Sequence, residues 1–216
     1  MISVLGRRNS ANVQKLMWCL GELGLEYIRE DIAGSLGFPN DYPNLNQVVP
    51  TVMDGDITVW ESNVCVRYIA RTYGVGSLWP DDPKTPSLAD QWMDWHRGNF
   101  SNAFFPLFGG KIKMGKDNDA LKNEISNCAA QYQILDQHLA DNAYLAGDTL
   151  PMGDIPMGTV TYRYMTLDIE RPSLPNVERW YQALTERPAF KQRVMIWYGT
   201  NAEEWVAEEK KNANIQ

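Results

Sequence analysis

The sequence predicts an α/β domain followed by an all-helical domain, and three observations lead to this prediction. Up to residue 73, short β-rich runs and stretches of helical periodicity follow the order β-α-β-loop-β-β-α. Glycine and proline are then concentrated in Gly74–Pro86, which is typical of an interdomain linker. After residue 80 no segment has a convincing strand pattern. The predicted parts are an α/β domain at 1–78, a linker at 79–86 and a helical domain at 87–216.

The first half begins with a β-α-β unit. The apolar run Ile2–Leu5 predicts a strand, and Asn12–Leu23 carries apolar residues at helical spacing until Gly24 ends the helix. Leu25–Ile32 alternates loosely and predicts a second strand, which a crossover helix would place parallel to the first. The Gly-, Pro- and Asn-rich segment Ala33–Asn46 predicts a loop that contains at most one helical turn.

A hairpin and a helix complete the first half. Thr51–Met53 and Ile57–Trp60 flank Asp54-Gly55 and predict two antiparallel strands joined by a tight turn. Ser62–Tyr73 has apolar residues at helical spacing and predicts the helix that follows.

Residues 47–62, which include this hairpin, are the most informative stretch of the chain. Val49 precedes Pro50, which favours an extended backbone, and a cis bond there would leave the Val49 peptide group free to pair with an extended peptide. Glu61-Ser62 opens a helix, and helix N-termini with a serine bind carboxylates. Each signal alone is weak, since most X-Pro bonds are trans and most such serines only cap the helix. Their order predicts a site for a small anionic peptide.

The second half is predicted to be helical throughout. The polar C-terminal segment Glu208–Gln216 is expected to be frayed. The predicted helices are Ser87–Gly109, Asp119–Asp141, Ile155–Thr166, Pro175–Glu186 and Ala189–Gly199.

Composition argues against several classes of function. The formal net charge is −7 and basic residues form no cluster, which argues against nucleic acid as a main partner. No apolar run reaches the roughly 18 residues that span a bilayer, and the first residues lack the pattern of a secretory signal. The 8 Trp and 10 Tyr are a rich supply, so aromatic rings are expected to line a cavity or an interface.

The cysteines and histidines predict neither disulfides nor a metal site. Cys19, Cys65 and Cys128 lie far apart without a CxxC pair, which is typical of a cytosolic protein with reduced thiols. Cys19 and Cys65 fall within predicted helices and are expected to be buried and unreactive. His96 and His138 are too few for a typical zinc site, and no phosphate-binding glycine motif is present.

The order of elements, with Val49-Pro50 and Glu61-Ser62 so placed, resembles the glutathione S-transferase family over essentially the whole chain. The resemblance implies a thioredoxin-like α/β N-terminal domain, an all-α C-terminal domain, and a cytoplasmic, homodimeric enzyme of detoxification that uses glutathione and no metal. Three local patterns add to it: Gly6-Arg7-Arg8-Asn9-Ser10-Ala11-Asn12-Val13-Gln14-Lys15, similar to serine-type theta- and phi-like bacterial members; Gln91-Trp92-Met93-Asp94-Trp95; and Leu145-Ala146-Gly147-Asp148 with Gly153-Asp154-Ile155-Pro156.

The resemblance also implies which residue activates glutathione. In serine-type relatives a first-loop hydroxyl donates a hydrogen bond to the glutathione sulfur, and the matching residue is Ser10. Asn12 and Asn9 are the alternatives, and Ser10 could instead only cap the helix. A free thiol has a pKa near 8.5, and a hydroxyl beside a helix N-terminus would lower it. The thiolate would then attack an electrophilic carbon without a covalent enzyme intermediate.

The rest of the tripeptide is assigned by the same resemblance. Glu61 and Ser62 would hold the γ-glutamyl group, and the backbone of Val49 beside Pro50 would pair with the cysteinyl unit. Relatives often carry a basic residue or Gln before the apolar–proline pair, where it meets the glycyl carboxylate. Val48 occupies that position here. The candidates to replace it are Asn46, Gln47 and Arg8.

The electrophile pocket is expected at the opening helix of the second domain. His96 could be a polar contact in this pocket, although a surface position is expected. Asp154 is expected to cap its helix alone because Pro151 replaces the usual hydroxyl residue. Aromatic residues that could line the pocket are Trp95, Phe100 and Phe104, then Phe105 and Phe108, with about two of the five facing the ligand. Near the C-terminus, the aromatic residues that could cover it or pack on the first domain are Trp197, Tyr198 and Trp205.

Three functions are compatible with these residues and with the resemblance. The first is conjugation of glutathione to a small, mostly apolar electrophile. The second is glutathione-dependent peroxidase or disulfide reductase activity at the same site. The third is a non-catalytic binding or assembly protein on the same fold.

Overall fold

The first domain is a four-stranded mixed sheet in the order β2-β1-β3-β4, with helices packed on it. It belongs to a computed structural model that describes residues 1–215. As predicted, β1 and β2 are parallel and β3 and β4 form an antiparallel hairpin; β3 also pairs antiparallel with β1. The elements of this thioredoxin-like domain are β1 (Ile2–Leu5), α1 (Ala11–Glu22), β2 (Tyr27–Glu30), β3 (Thr51–Asp54), β4 (Ile57–Trp60) and α2 (Ser62–Tyr73).

The second domain is all-helical within the described residues. Its first helix is continuous from Thr85 to Lys113, but π-helical turns at His96–Phe100 and Gly109–Lys113 interrupt its α-helical geometry. The α-helices are α3 (Thr85–Trp95), α4 (Ser101–Phe108), α5 (Lys122–Leu139), α6 (Asp154–Thr166), α7 (Pro175–Thr185), α8 (Pro188–Arg193) and α9 (Ala202–Lys211). α3 begins inside the segment predicted as linker, and the domain boundaries themselves stay predictions.

α1 lies between the two domains and is buried on nearly every side. It packs on α2 in its own domain and on α6 and α8 in the other. Apolar residues fill most of its buried positions, yet Gln14 and Lys15 are buried as well, each with 1% of its surface exposed. Buried polar groups need hydrogen-bond partners, so the burial of Gln14 and Lys15 indicates that α1 does more than fill the core.

The predicted helix Ala189–Gly199 is wrong beyond Arg193. Val194 keeps helical backbone angles as the C-cap of α8, but the Ile196 N–H donates to the Val194 carbonyl at 2.7 Å, so the chain leaves the helix in a turn. From Met195 to Tyr198 the residues alternate between exposed and buried, with Ile196 and Tyr198 facing inward.

The expectation of a frayed C-terminus is also wrong for residues 208–215; Gln216 lies outside the described residues. Lys211 ends the helix α9, whose Trp205 and Glu209 are buried. Glu209 forms an ion pair with Arg7 at 2.5 Å and accepts hydrogen bonds from the backbone N–H and the hydroxyl of Ser35. The polar character of this segment therefore reflects partners in the first domain.

Asp154 has a different role from the predicted helix cap. Gly153 is the N-cap of α6, while the Asp154 carboxylate accepts hydrogen bonds from the Leu145 N–H at 3.2 Å and from the Trp180 indole at 2.7 Å. Burial raises the pKa of this carboxyl to about 7. The residue thus ties the preceding loop and α7 to the start of α6.

Two further properties concern residues 1–215. They contain no group of three His, Cys, Asp or Glu side chains arranged to hold a metal ion. In the same part of the chain no helix has both the length and the apolar character needed to cross a bilayer.

Candidate functional site

A cavity of about 220 Å³, the first cavity, lies where the hairpin segment of the first domain faces the first helix of the second. It brings together Asn12, Val49, Pro50, Glu61 and Ser62 from the residues singled out in the sequence. The other lining residues are Lys15, Val48, His96, Arg97, Ser101 and Phe105.

The wall formed by the hairpin segment presents an unpaired peptide group. The Val49–Pro50 bond is cis. The Val48 carbonyl accepts hydrogen bonds from the Tyr42 hydroxyl at 2.7 Å and from the Asn44 amide at 3.0 Å. Within residues 1–215 the N–H and carbonyl of Val49 have no hydrogen-bond partner. An extended peptide in the cavity can therefore pair with Val49 as an added strand would.

The start of α2 supplies a second set of free groups. Glu61 has a φ of 68°, a left-handed conformation that costs a non-glycine residue about 1 kcal/mol or more and that is frequent at functional sites. The first helical bond runs from the Cys65 N–H to the Glu61 carbonyl at 2.8 Å. The amides of residues 62–64 precede this bond, so the helix N-terminus faces the cavity with its positive dipole end.

Lys15 is buried against this helix start. Its ammonium donates to the Ser62 hydroxyl at 3.2 Å and to the Asn63 side-chain carbonyl at 3.3 Å. Among the described residues it has no carboxylate within ion-pair distance. Burial, with a smaller effect of Arg97, lowers its pKa to about 7. A buried cation without an anion is costly, so a carboxylate in the first cavity would be strongly favoured.

The same hydrogen bonds orient Asn12. Because Lys15 donates to the Ser62 oxygen, the Ser62 hydroxyl donates in turn to the Asn12 side-chain carbonyl at 3.3 Å. The amide nitrogen of Asn12 is then the group left to donate to a ligand. Lys15, Ser62 and Asn12 therefore form a chain of hydrogen bonds along the wall of the first cavity, and Asn12 is its last member.

The second cavity has a volume of about 150 Å³ and adjoins the first, since Asn12 and Phe105 line both. Ser10 lies on its wall as the N-cap residue of α1, but in the described structure its hydroxyl makes no capping hydrogen bond. The hydroxyl is therefore available to a ligand. The remaining lining residues are Arg7, Ala11, Phe108, Gly109, Lys113, Arg163 and Trp205.

Comparisons with known proteins identify the family. A family model described as "Glutathione S-transferase, N-terminal domain" matches residues 2–71, and one described as "Glutathione S-transferase, C-terminal domain" matches residues 88–188. The chain belongs to the glutathione S-transferase family. It is therefore a transferase, and the resemblance seen in the sequence is confirmed.

Individual relatives of this transferase agree with the family models. It is 36% identical to glutathione S-transferase GstB of Escherichia coli over 205 residues, which cover 91% of this chain and 99% of the relative. Among solved structures it resembles a theta class glutathione S-transferase of Xanthomonas axonopodis pv. citri with glutathione bound, with 39% identity and a TM-score of 0.84. That alignment covers 90% of this chain and 97% of the other.

The aromatic residues chosen for the electrophile pocket need correction. Phe100 and Phe104 are fully buried and stack in the core of the helical domain, while Trp95 packs on Trp92 and Phe100. Of the five aromatic candidates, the two that line the second cavity are Phe105 and Phe108. The π-helical turn at residues 96–100 explains the error, because its wider turn changes which later side chains share a face.

None of the three candidates for the glycyl carboxylate is among the residues that line the first cavity. Arg8 donates to the Asn212 side chain at 2.7 Å and to the Gln192 carbonyl, so its guanidinium lies against the C-terminal part of the transferase. Asn46 and Gln47 are exposed and are held in a turn by Asn44. The basic residues that do line the first cavity are Lys15 and Arg97.

His96 is buried, with 1% of its surface exposed, and the expectation of a surface residue is wrong. Both ring nitrogens are without a hydrogen-bond partner among residues 1–215. Burial, followed by the nearby charges of Lys15 and Arg97, holds its pKa well below 6.5, so the ring is neutral at physiological pH. The predicted burial of Cys19 and Cys65 is confirmed, and burial raises the pKa of both thiols.

Arg163 is a residue of the site that the sequence reading missed. It extends from α6 and donates to the Asn9 carbonyl at 2.5 Å and to the Gln14 side chain at 3.2 Å. The Asn9 peptide group directly precedes Ser10, so Arg163 positions the loop that carries the predicted sulfur ligand. The sequence did contain a feature that could have identified it, namely an arginine among the mostly apolar residues of α6.

Three aromatic rings surround the guanidinium of Arg163. Its central carbon lies 5.1 Å from the ring centroid of Phe108, 5.5 Å from that of Tyr198 and 5.3 Å from that of Trp205. Of the three aromatic residues predicted to cover the pocket, Trp205 lines the second cavity, Tyr198 is buried behind it and Trp197 is half exposed.

Proposed function

We propose that this transferase binds glutathione in the first cavity and conjugates it to a small electrophile in the second. The observation that carries the proposal is that the two cavities meet at Asn12, next to the free hydroxyl of Ser10. A cysteinyl sulfur that reaches this point from the first cavity would lie beside both side chains. The glutathione-bound relative from Xanthomonas axonopodis supports the choice of glutathione as co-substrate.

Each charged group of the γ-glutamyl part has a matching group in the first cavity. The α-carboxylate fits the N-terminus of α2, where the Ser62 hydroxyl, the first free amides and the Lys15 ammonium converge. The carboxylate of Glu61 is the partner for the ammonium. The peptide group of Val49 pairs with the cysteinyl unit and so fixes the direction of the sulfur.

The chemistry follows from this placement. Ser10 donates a hydrogen bond to the sulfur, with Asn12 as the second donor, and both favour the thiolate over the thiol. The thiol proton is released to solvent, the thiolate attacks the electrophilic carbon, and the leaving group departs with its electron pair. The protein contributes alignment of the two reactants and stabilisation of charge.

Calorimetric titration of glutathione into wild type and Ser62→Ala, combined with an assay on 1-chloro-2,4-dinitrobenzene, tests the proposal. We expect wild type to bind and conjugate, and Ser62→Ala to bind about tenfold more weakly, since a hydrogen bond to a charged group is lost. Turnover of a hydroperoxide or mixed disulfide without conjugation would favour the peroxidase or reductase alternative. Absence of binding would favour a non-catalytic role.

We also propose a cytoplasmic homodimer that acts in detoxification. Apolar side chains are exposed on β4 and on the adjacent helices, namely Ile57, Trp60, Val64 and Leu88. Such residues are typical of a surface that a second copy covers. Light scattering on the purified protein checks this, since a monomer at micromolar concentration would contradict it.

A further inference from the structure

We propose that the second cavity selects flat aromatic electrophiles that carry a negative charge, a specificity that rests on the conjugation proposed above. The sequence alone favoured a mostly apolar substrate. The structure instead combines aromatic walls with cationic side chains, and two of these cations have no carboxylate partner.

The side chains that line the second cavity carry positive charge. Arg7, Lys113 and Arg163 line it, and none of the lining residues is acidic. Arg7 is paired with Glu209 behind the wall. Neither Lys113 nor Arg163 has a carboxylate within ion-pair distance in the described part of the chain. The cavity is therefore locally positive in a protein whose formal net charge is −7.

Arg163 is buried beside the second cavity. Only 3% of its surface is exposed, and its Nε has no hydrogen-bond partner within residues 1–215. The surrounding aromatic faces attract the guanidinium but do not neutralise it. A buried cation is costly without a counter-charge, so an anionic group in the cavity would offset part of that cost.

The shape of the walls defines the rest of the substrate. Phe105, Phe108 and Trp205 line the cavity with aromatic carbon, and Phe105 has the most exposed ring of the three, which favours a flat aromatic ligand. The exposed ammonium of Lys113 lies 5.4 Å from the ring centroid of Trp205. A ligand that packs against Phe105 in this cavity would share the lining with this ammonium, so a substituent of the ligand could reach it.

The cations could instead serve only the glutathione thiolate, and a matched pair of substrates separates the two roles. We choose 4-chloro-3,5-dinitrobenzoate and its methyl ester. In both, a carbon–sulfur bond forms, the carbon–chlorine bond breaks, chloride leaves with the electron pair and the thiol proton passes to the buffer. Each kcat/KM is divided by the uncatalysed rate constant of the same compound, because the ester withdraws electrons more strongly.

We expect the carboxylate to be favoured over the ester by about tenfold on this scale, since a close charge pair contributes about 1.4 kcal/mol or more. Lys113→Met should raise KM for the carboxylate about fivefold, with a smaller effect on the ester. Lys116→Met is the matched control, because Lys116 is exposed on the same segment and does not line the second cavity. High salt should reduce the preference.

The outcomes distinguish this inference from the function on which it rests. Absence of glutathione binding in a parallel titration would remove the proposed function and this specificity with it. If glutathione binds, equal relative efficiency for the two compounds, a preference for the ester or conjugation of neither would overturn the specificity. An equal loss for both compounds in Lys113→Met would assign the ammonium to the thiolate and would also overturn it.

Discussion

The two cavities that meet at Asn12 are built in different ways. The first takes its backbone groups from one continuous segment, residues 47–62, and adds the buried ammonium of Lys15 and side chains from residues 96–105 of the second domain. The second uses side chains from the first loop and from α4, α6 and α9, which are distant in the chain. Backbone groups suit one constant ligand because few substitutions remove them, although the side chains of Lys15 and Ser62 add affinity that a substitution can remove. A site made of side chains can change its specificity one residue at a time.

Lys15→Met should cause the largest change, and it would affect the first cavity. Removing one partner of a buried charge pair costs about 3 kcal/mol, so we expect the dissociation constant of S-methylglutathione to rise about 100-fold. The free protein should become more stable, since a buried cation is replaced by an apolar side chain of similar length. Calorimetry and thermal unfolding check both results.

The exposed Lys122 at the start of α5 provides the control for that variant. Lys122→Met should leave the affinity and the melting temperature unchanged. If Lys15→Met bound S-methylglutathione as tightly as wild type, the ammonium would have no role in holding the γ-glutamyl carboxylate.

Arg163→Met should affect the second cavity and leave the first intact. Loss of the bond to the Asn9 carbonyl would displace the loop before Ser10, and we expect kcat to fall about tenfold, because misplacement of reacting groups costs one to two orders of magnitude. The affinity for S-methylglutathione should stay within about twofold of wild type. Steady-state kinetics and calorimetry give the two values.

Arg171→Met is the matched substitution, since Arg171 donates to carbonyls at the C-terminal end of α6. It should not alter kcat. Equal losses in the two variants would indicate a general effect on α6 and would contradict the positioning role of Arg163.

The pH dependence of binding should also distinguish the cavities. Lys15 faces Glu61, His96 and Arg97, and its pKa is lowered to about 7 in the free protein. As the pH rises through 7 the ammonium loses its proton, and carboxylate binding must then be accompanied by proton uptake. Between pH 6.5 and 8.5 the affinity for S-methylglutathione, which has no thiol to titrate, should fall about 20-fold.

Lys15→Met should remove this dependence, and titrations in buffers of different ionisation enthalpy would detect the proton uptake in wild type. A flat profile in wild type would show that Lys15 stays charged, or that it does not contact the ligand.

The first cavity was largely predictable because its signals are local. Pro50 restricts Val49, Asp54-Gly55 sets the turn, and Ser62 begins a helix whatever the rest of the chain does. In the structure Val49, Pro50 and Ser62 line the first cavity, and Asp54-Gly55 lies at the hairpin turn between β3 and β4.

The second cavity was not predictable from the same kind of signal. The π-helical turn at His96–Phe100 rotates the helix that follows, so that Phe105 rather than Phe104 lines the cavity. No pattern in the sequence predicts this turn. The polar residues of α9 resembled a frayed end because Glu209 and its partner Arg7 are about 200 residues apart. Lys15 and Arg163 did leave a signal, namely a cation within an apolar helix.

The most direct test of the account is the pKa of the glutathione thiol when it is bound, measured from thiolate absorbance near 240 nm in wild type, Ser10→Ala and Asn12→Ala. We expect the bound thiol to titrate at least one unit below the free thiol, with most of this shift lost in Ser10→Ala and a smaller part in Asn12→Ala. An equal pKa for bound and free thiol in wild type would contradict the claim that the two cavities meet at a thiolate-stabilising site.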